Sequence, residues 1–196
     1  MGDLKRNILA IDPGNMESAY VVWNPNTNRM VDKDWVGNKD LKNSLFVNQV
    51  RNNELNIGPV LIETVSSYGM AVGQETFDTA IWTGIFKEFF ENLGHPVHLI
   101  FRMTVKMHHC HSLRKVNDAA VNKVLVDKYG QPQSKKREGL VYWNDDVENN
   151  GGRWDMKGDI WAAMALATYW VEPHDHPIEN EFEWEQNKLA RSLWDN

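Results

Sequence analysis

The chain holds a single cysteine, Cys110, in 196 residues. No disulfide can therefore close within it, and such sparing use of thiols fits a reducing compartment. No apolar run approaches the roughly 20 residues that a membrane span needs. The start, "MGDLKRNI", has no apolar signal region and fails the myristoylation pattern, because Arg6 stands where Ser or Thr is required. There is no Walker A glycine loop and no spaced C-x-x-C pair. These absences lead us to expect a cytoplasmic protein with no membrane partner and no nucleotide cofactor.

What is present is a globular composition, 42% apolar and 24% charged, in a length that suits one domain with a useful core. The formal charge of -6 argues weakly against overall attraction to nucleic acid. Its distribution says more. Arg102, Lys106, Arg114, Lys115, Lys123, Lys128 and the run Lys135 to Arg137 are answered only by Asp118, Asp127 and Glu138, with His108, His109 and His111 beside them. From Glu172 onward acids dominate. Both biases suit solvated faces; the basic one also suits a phosphate backbone.

"NILAID" reads as a strand and "SAYVVWN" as its hairpin partner, with Asn15 to Glu17 in the turn. A third short strand is expected around Met30 to Val36, so three antiparallel strands open the chain. Leu41, Leu45, Val47 and Val50 have helical spacing in "LKNSLFVNQVRNNEL". "GPVLIE" is a strand after a Gly-Pro breaker, Glu75 to Asn92 a helix closed by Gly94 and Pro96, and "PVHLIFR" the next strand. "VNDAAVNKVLVDKYG" and "DMKGDIWAAMALATYWV" are helices. We expect one domain over residues 1–172 and an acidic tail over 173–196, partly helical around Glu183 to Leu193.

Asp12, Glu63 and the pair Asp155/Asp159 each sit at the edge of an apolar element. A carboxylate there must be paired, protonated or bound to a cation, because a desolvated unpaired charge is expensive. Asp155 and Asp159, four apart, share one helical face. Acids converging from separate elements would repel one another unless divalent cations neutralise them, and a Mg²⁺ site accounts for all of them together. The simpler account of each is local: an Asp-Pro-Gly turn, a strand-end acid, acids favoured by a helix dipole.

"ILAIDPG", "VLIE", "TVKMHHCHSLRKVNDAAVNKVLVDKYG" and "GDIWAAMALA", in this order, resemble the RuvC-like Holliday junction resolvases of the RNase H superfamily. The middle segment is most similar to the bacteriophage versions, which would place the protein in a host cytoplasm. The resemblance spans about Arg6 to Val171. It implies an α/β fold, a mixed five-stranded RNase H-like sheet with the first three strands antiparallel and helices on both faces. It also implies a homodimer that presents two active sites to a four-way DNA junction. By motif, Asp12 becomes the central metal ligand and Glu63 the second. The pattern has two acids three apart on the last helix; Asp159 matches the first, Ala162 stands at the second, and Asp155 lies a turn earlier as a substitute. Lys106 matches the family's first lysine, whereas its second falls on Asp118, with Lys115 or Lys123 near enough to supply the charge. Tyr68 matches an aromatic that stacks on a base, and Arg114 joins the DNA-binding set.

The resemblance further implies two Mg²⁺ ions per site, or Mn²⁺, that clamp the scissile phosphate, in-line attack leaving a 5′-phosphate and a 3′-hydroxyl, and Lys106 neutralising charge on the phosphate. The alternatives are a non-catalytic junction-binding protein with a degenerate metal site, and a related RNase H-like nuclease acting on RNA–DNA hybrids. An actin-like ATPase needs two such domains, and the chain is too short. "HHCH", His108 to His111, does not read as zinc, because consecutive residues make no regular tetrahedral site. Trp82, Trp154, Trp161 and Trp170 read as core or dimer surface, and His95 and His98 as structural.

Overall fold

The computed structural model describes residues 6–43, 45–65, 71–111, 117–130 and 158–172. The expected acidic tail and Trp154 lie outside these residues. Strands β1 (Asn7–Pro13), β2 (Glu17–Asn24) and β3 (Arg29–Gly37) form an antiparallel meander, followed by helices α1 (Asn38–Asn43) and α2 (Leu45–Arg51). Strand β4 (Ile57–Thr64), helix α3 (Gln74–Asn92), strand β5 (Val97–Phe101) and helices α4 (Arg102–Cys110), α5 (Asp118–Tyr129) and α6 (Gly158–Val171) complete the order. The sheet order is β3-β2-β1-β4-β5, with β4 parallel to β1 and β5 parallel to β4.

Strands β1 and β4 sit inside the sheet with helices on both sides, so they are apolar on both faces and read as continuous runs instead of alternating ones. On one face Ile8, Ala10, Ala19, Val21, Trp23 and Leu61 pack against α4, α5 and the apolar helix α6. On the other, Leu9, Ile11, Tyr20, Val22 and Ile62 pack against Leu41, Val50, Phe86 and Phe90. The small residues Ala10, Ala19, Ala163 and Ala167, all fully buried, let α6 approach β1 and β2 closely.

Two elements differ from the expectation. The helical pattern from Leu41 onward is divided between α1 and α2 and stops at Arg51; Asn53 and Asn56 then adopt left-handed φ values of 58° and 46°, a conformation that asparagine tolerates. Helix α4 had no counterpart in the sequence reading, which ended its strand at Arg102. Its buried residues are Val105 and His109, four apart, and a histidine disguises the apolar stripe.

Candidate active site

The turn after Asp12 ends β1. A Cβ on Gly14 would lie 2.3 Å from the Glu17 carbonyl oxygen, so only glycine fits. Buried Ser18 donates to Asn38 Oδ1 at 2.6 Å, and Asn38 Nδ2 donates to the Gly14 carbonyl at 3.0 Å. The Asp-Pro-Gly sequence thus forms a turn that stops the strand with its last acid facing inward.

Register does the rest. Ile11 pairs with Ile62 in the parallel β1/β4 ladder, so Asp12 and Glu63 stand side by side at the ends of the two strands. Asp12 faces Ala19 on β2, Ala19 faces Trp35 on β3, and Glu63 pairs with Ile100 on β5. One row of side chains therefore crosses the sheet under α6. Asp159, in the first turn of α6, is held at the β3 side of that row, where Trp35 Nε1 donates to its Oδ2 at 3.1 Å.

Arg102 closes the β5 side. One guanidinium nitrogen, Nη1, donates to Glu63 Oε1 at 2.6 Å and lies 3.9 Å from Asp12 Oδ2, while Nη2 donates to Asp118 Oδ1 at 2.8 Å. Lys106, one turn further along α4, reaches the same Asp118 oxygen at 3.1 Å. Ala162 lines this cleft together with Glu63, Arg102, Lys106, Asp118 and Asn122. The position where a second acid of α6 was sought is thus within the site but apolar.

Burial is the largest influence on Asp12 and raises its carboxyl well above the usual range; Glu63 adds to the rise, Arg102 opposes it, and Asp159 and Asp118 push it up again. Burial also raises Glu63, against the opposing pull of Arg102. Burial works against the charge of Arg102, but Glu63, Asp12 and Asp118 outweigh it and hold its pKa above the ordinary value. For Asp118 burial is outweighed by Lys106 and Arg102, so its pKa is lowered.

The donor type here, carboxylate oxygen alone, suits a divalent cation, but the oxygens of Asp12, Glu63 and Asp159 do not gather within 4.8 Å of one another as the ligand-type atoms of the histidine cluster do. The Asp12 carboxylate accepts no hydrogen bond among the described residues and has only the distant Arg102 as a counter-charge. When ionised, the four carboxylates outnumber Arg102 and Lys106 by two charges, which is the charge of one divalent ion. Oxygen-only ligands suit a hard cation such as Mg²⁺.

Of the residues singled out from sequence, the structure brings together Asp12, Glu63, Asp159 and Lys106. Asp155, Tyr68, Arg114 and Lys115 lie outside the described residues. Lys123 is exposed; its offset of two from buried Val121 and Leu125 turns it to the opposite side of α5. Sequence reasoning gave Arg102 and Asp118 no place in the site, because net charge along a segment says nothing about which pairs meet.

The histidine cluster resolves into a packing device. His108 Nε2 donates to Glu172 Oε2 at 2.9 Å, and buried His109 donates through Nε2 to the Ala165 carbonyl at 2.9 Å. Glu172 Oε1 also accepts from Tyr129 at 2.8 Å and pairs with Lys128 at 2.7 Å. Ligand-type atoms of His108, His109 and Glu172 do lie within 4.8 Å of one another. Each is already engaged, and Lys128 supplies the positive charge, so the group joins α4, α5 and the end of α6. His98 stacks on Trp170 at 4.6 Å, and His95 Nδ1 meets the Gly58 carbonyl at 3.3 Å, both structural as expected. Trp161 is core, and Trp82 packs on the opposite cluster.

No protein-family model and no curated protein matches the chain. Solved structures do. T. thermophilus RuvC in complex with a Holliday junction substrate superposes with a TM-score of 0.54 at 13% identity, over 82% of this chain and 90% of that one. The yeast mitochondrial Holliday junction resolvase Ydc2 gives 0.54 at 16% identity, over 85% and 78%. A second Thermus thermophilus RuvC structure gives 0.50 at 12% identity, over 82% and 90%. With a mixed sheet in the order β3-β2-β1-β4-β5 and antiparallel first strands, the chain has the RNase H-like fold of these resolvases.

Proposed function

We propose that the protein is a metal-dependent, structure-specific endonuclease that resolves four-way or branched DNA junctions by paired phosphodiester hydrolysis. One observation carries the reading: Asp12 and Glu63 end neighbouring strands under α6, with Asp159 of that helix near enough to act on Asp12 and too little positive charge among them, in a fold shared with resolvases. RuvC in that fold is known bound to a Holliday junction.

Asp12, Glu63 and Asp159 would hold Mg²⁺ or Mn²⁺, which when bound would polarise the scissile phosphate and activate water. Asp12, on the strand between β2 and β4, lies between the other two in the row and would be the central ligand. Trp35 orients Asp159, fixing which carboxylate oxygen remains free. Arg102 and Lys106 stand at the β5 side of the cleft, where their charge opposes that of an incoming phosphate. In the hydrolysis a water oxygen bonds to phosphorus and the bond to the 3′ oxygen breaks, leaving a 5′-phosphate and a 3′-hydroxyl.

Paired cuts need paired sites. Phe77 and Ile81, four apart on α3, are 55% and 59% exposed, an apolar pair of the kind a homodimer would cover. Basic residues at the cleft would bind backbone phosphates, so that junction shape decides recognition.

The test compares labelled four-way junction, linear duplex and RNA–DNA hybrid, with Mg²⁺ or EDTA, beside Asp12→Asn. Symmetric metal-dependent cuts in the junction, lost in the variant, support a resolvase. Tight junction binding without cleavage in either metal would instead support a binding module, for which the apolar Ala162 in the cleft is the reason. Preferential cutting of the hybrid would redirect the reading to RNA–DNA substrates.

A further inference from the structure

Arg102 is the one described residue that links the acidic row to the wall of the cleft. Its guanidinium uses different nitrogens for two acids: Nη1 for buried Glu63, Nη2 for Asp118, which is 62% exposed and also holds Lys106. These anchors are unequal. Glu63 is 5% exposed and needs a cation nearby; Asp118 faces solvent and already has a second one. Arg102 itself is 37% exposed, so its side chain has open space on one side.

We propose that Arg102 serves as a built-in substitute cation, occupying Glu63 while the centre is without metal and withdrawing onto Asp118 when metal arrives. This rests on the reading of Asp12, Glu63 and Asp159 as a metal centre. A divalent cation at Glu63 and a guanidinium donating to the same carboxylate at 2.6 Å repel each other, so each weakens the other's hold on Glu63. Asp118 gives the displaced arm somewhere to go without breaking its other bond. Lys106, sharing Asp118, would limit how firmly the arm is drawn outward. In that withdrawn position the guanidinium lies beside the cleft, free to meet a phosphate oxygen. Metal binding and the position of Arg102 are then two ends of one equilibrium, and each sets the other's occupancy.

The consequence is a metal affinity lower than the carboxylates alone would give, together with a fold that tolerates the empty centre. Removing the guanidinium should reverse both. Arg102→Gln is expected to lower the melting temperature in EDTA, to show a larger Mg²⁺-induced rise than the native chain, and to bind Mn²⁺ about 5- to 50-fold more tightly by titration calorimetry and electron paramagnetic resonance. Asp118→Asn should weaken Mn²⁺ binding, because Arg102 loses its alternative anchor. Arg102→Lys keeps a cation and should restore most of the stability in EDTA, which covers the case that the glutamine variant folds poorly.

Equal Mn²⁺ affinity in Arg102→Gln and the native chain, or weaker binding in the variant, would overturn the inference while the metal reading stands. The metal reading is judged separately, by whether Mn²⁺ binding, in the native chain or in Arg102→Gln, is lost when Asp12→Asn is added. Should the native chain bind no Mn²⁺ but Arg102→Gln bind it, the arginine is confirmed as the occupant. Should neither bind, both readings fall.

Discussion

Trp35 and Asp159, 124 positions apart in the chain, meet through an indole N–H that donates to the carboxylate at 3.1 Å. The third acid of the centre is thus aimed by a residue on the far antiparallel strand. Trp35→Phe keeps a ring at that place and removes the donor. Stability should fall by about 1 kcal/mol or less, because the bond is solvent-exposed. Junction cleavage should fall by roughly 10- to 100-fold, the usual effect of losing a group that orients a ligand. A cleavage rate unchanged at saturating Mg²⁺ would show that Asp159 needs no such aim.

Asp12→Asn separates activity from stability. Burial first, and then Glu63, disfavour the charged carboxyl in the fold, and a neutral amide of the same shape escapes both. Cleavage should vanish, junction binding should persist or tighten, and the melting temperature in EDTA should rise by about 2–4 °C for each kcal/mol regained. Loss of binding together with cleavage would argue that Asp12 is structural.

Glu172 makes acid unfolding readable. Burial would raise its carboxyl, but hydrogen bonds from Lys128, His108 and Tyr129 outweigh burial and hold it at about 2, against an ordinary 4.5. A lowered folded pKa means that the stabilisation is complete above 4.5 and disappears as pH falls toward 2. Glu172→Gln should therefore cost stability at neutral pH, at most about 3 kcal/mol from the shift, less the screening at half-exposed Lys128. Denaturant melts of both proteins from pH 7 to pH 2 should converge at the acid end. A gap that stays constant with pH would show that packing, not charge, is what the variant loses.

Ile81→Glu places a charge on the exposed apolar pair of α3. If copies associate through that face, light scattering should show a shift from dimer to monomer, with the monomer's melting temperature close to the native value when both are measured at low concentration. An undisturbed dimer would move the interface elsewhere on the molecule.

Much of this was legible in the residues. An apolar run that ends in Asp12 and another that ends in Glu63 marked two strands whose last residue needs a partner, and the fold makes those strands neighbours. The small and apolar run after Asp159 marked the helix that covers them. What stayed hidden was pairing across the chain. Arg102 and Lys106 counted toward a basic segment, yet three of their partners, Asp12, Glu63 and Asp118, are acids that only the fold brings near. Glu172 looked like the first residue of an acidic tail, whereas it is the partly buried end of a network with His108 and Tyr129. Helix α4 was missed because a helix of nine residues with a buried histidine gives too short a pattern to recognise.

The row of side chains beneath α6 also has a history in time. Its Trp35, Ala19 and Asp12 belong to a meander of neighbouring strands, which can pair as soon as the first third of the chain exists. Glu63 joins by a parallel pairing that must wait for β4, and Asp159 arrives only when α6 docks from the other end of the sequence. A chain still being synthesised therefore carries Asp12 before its companions, and the acidic row cannot be complete until α6 has been made.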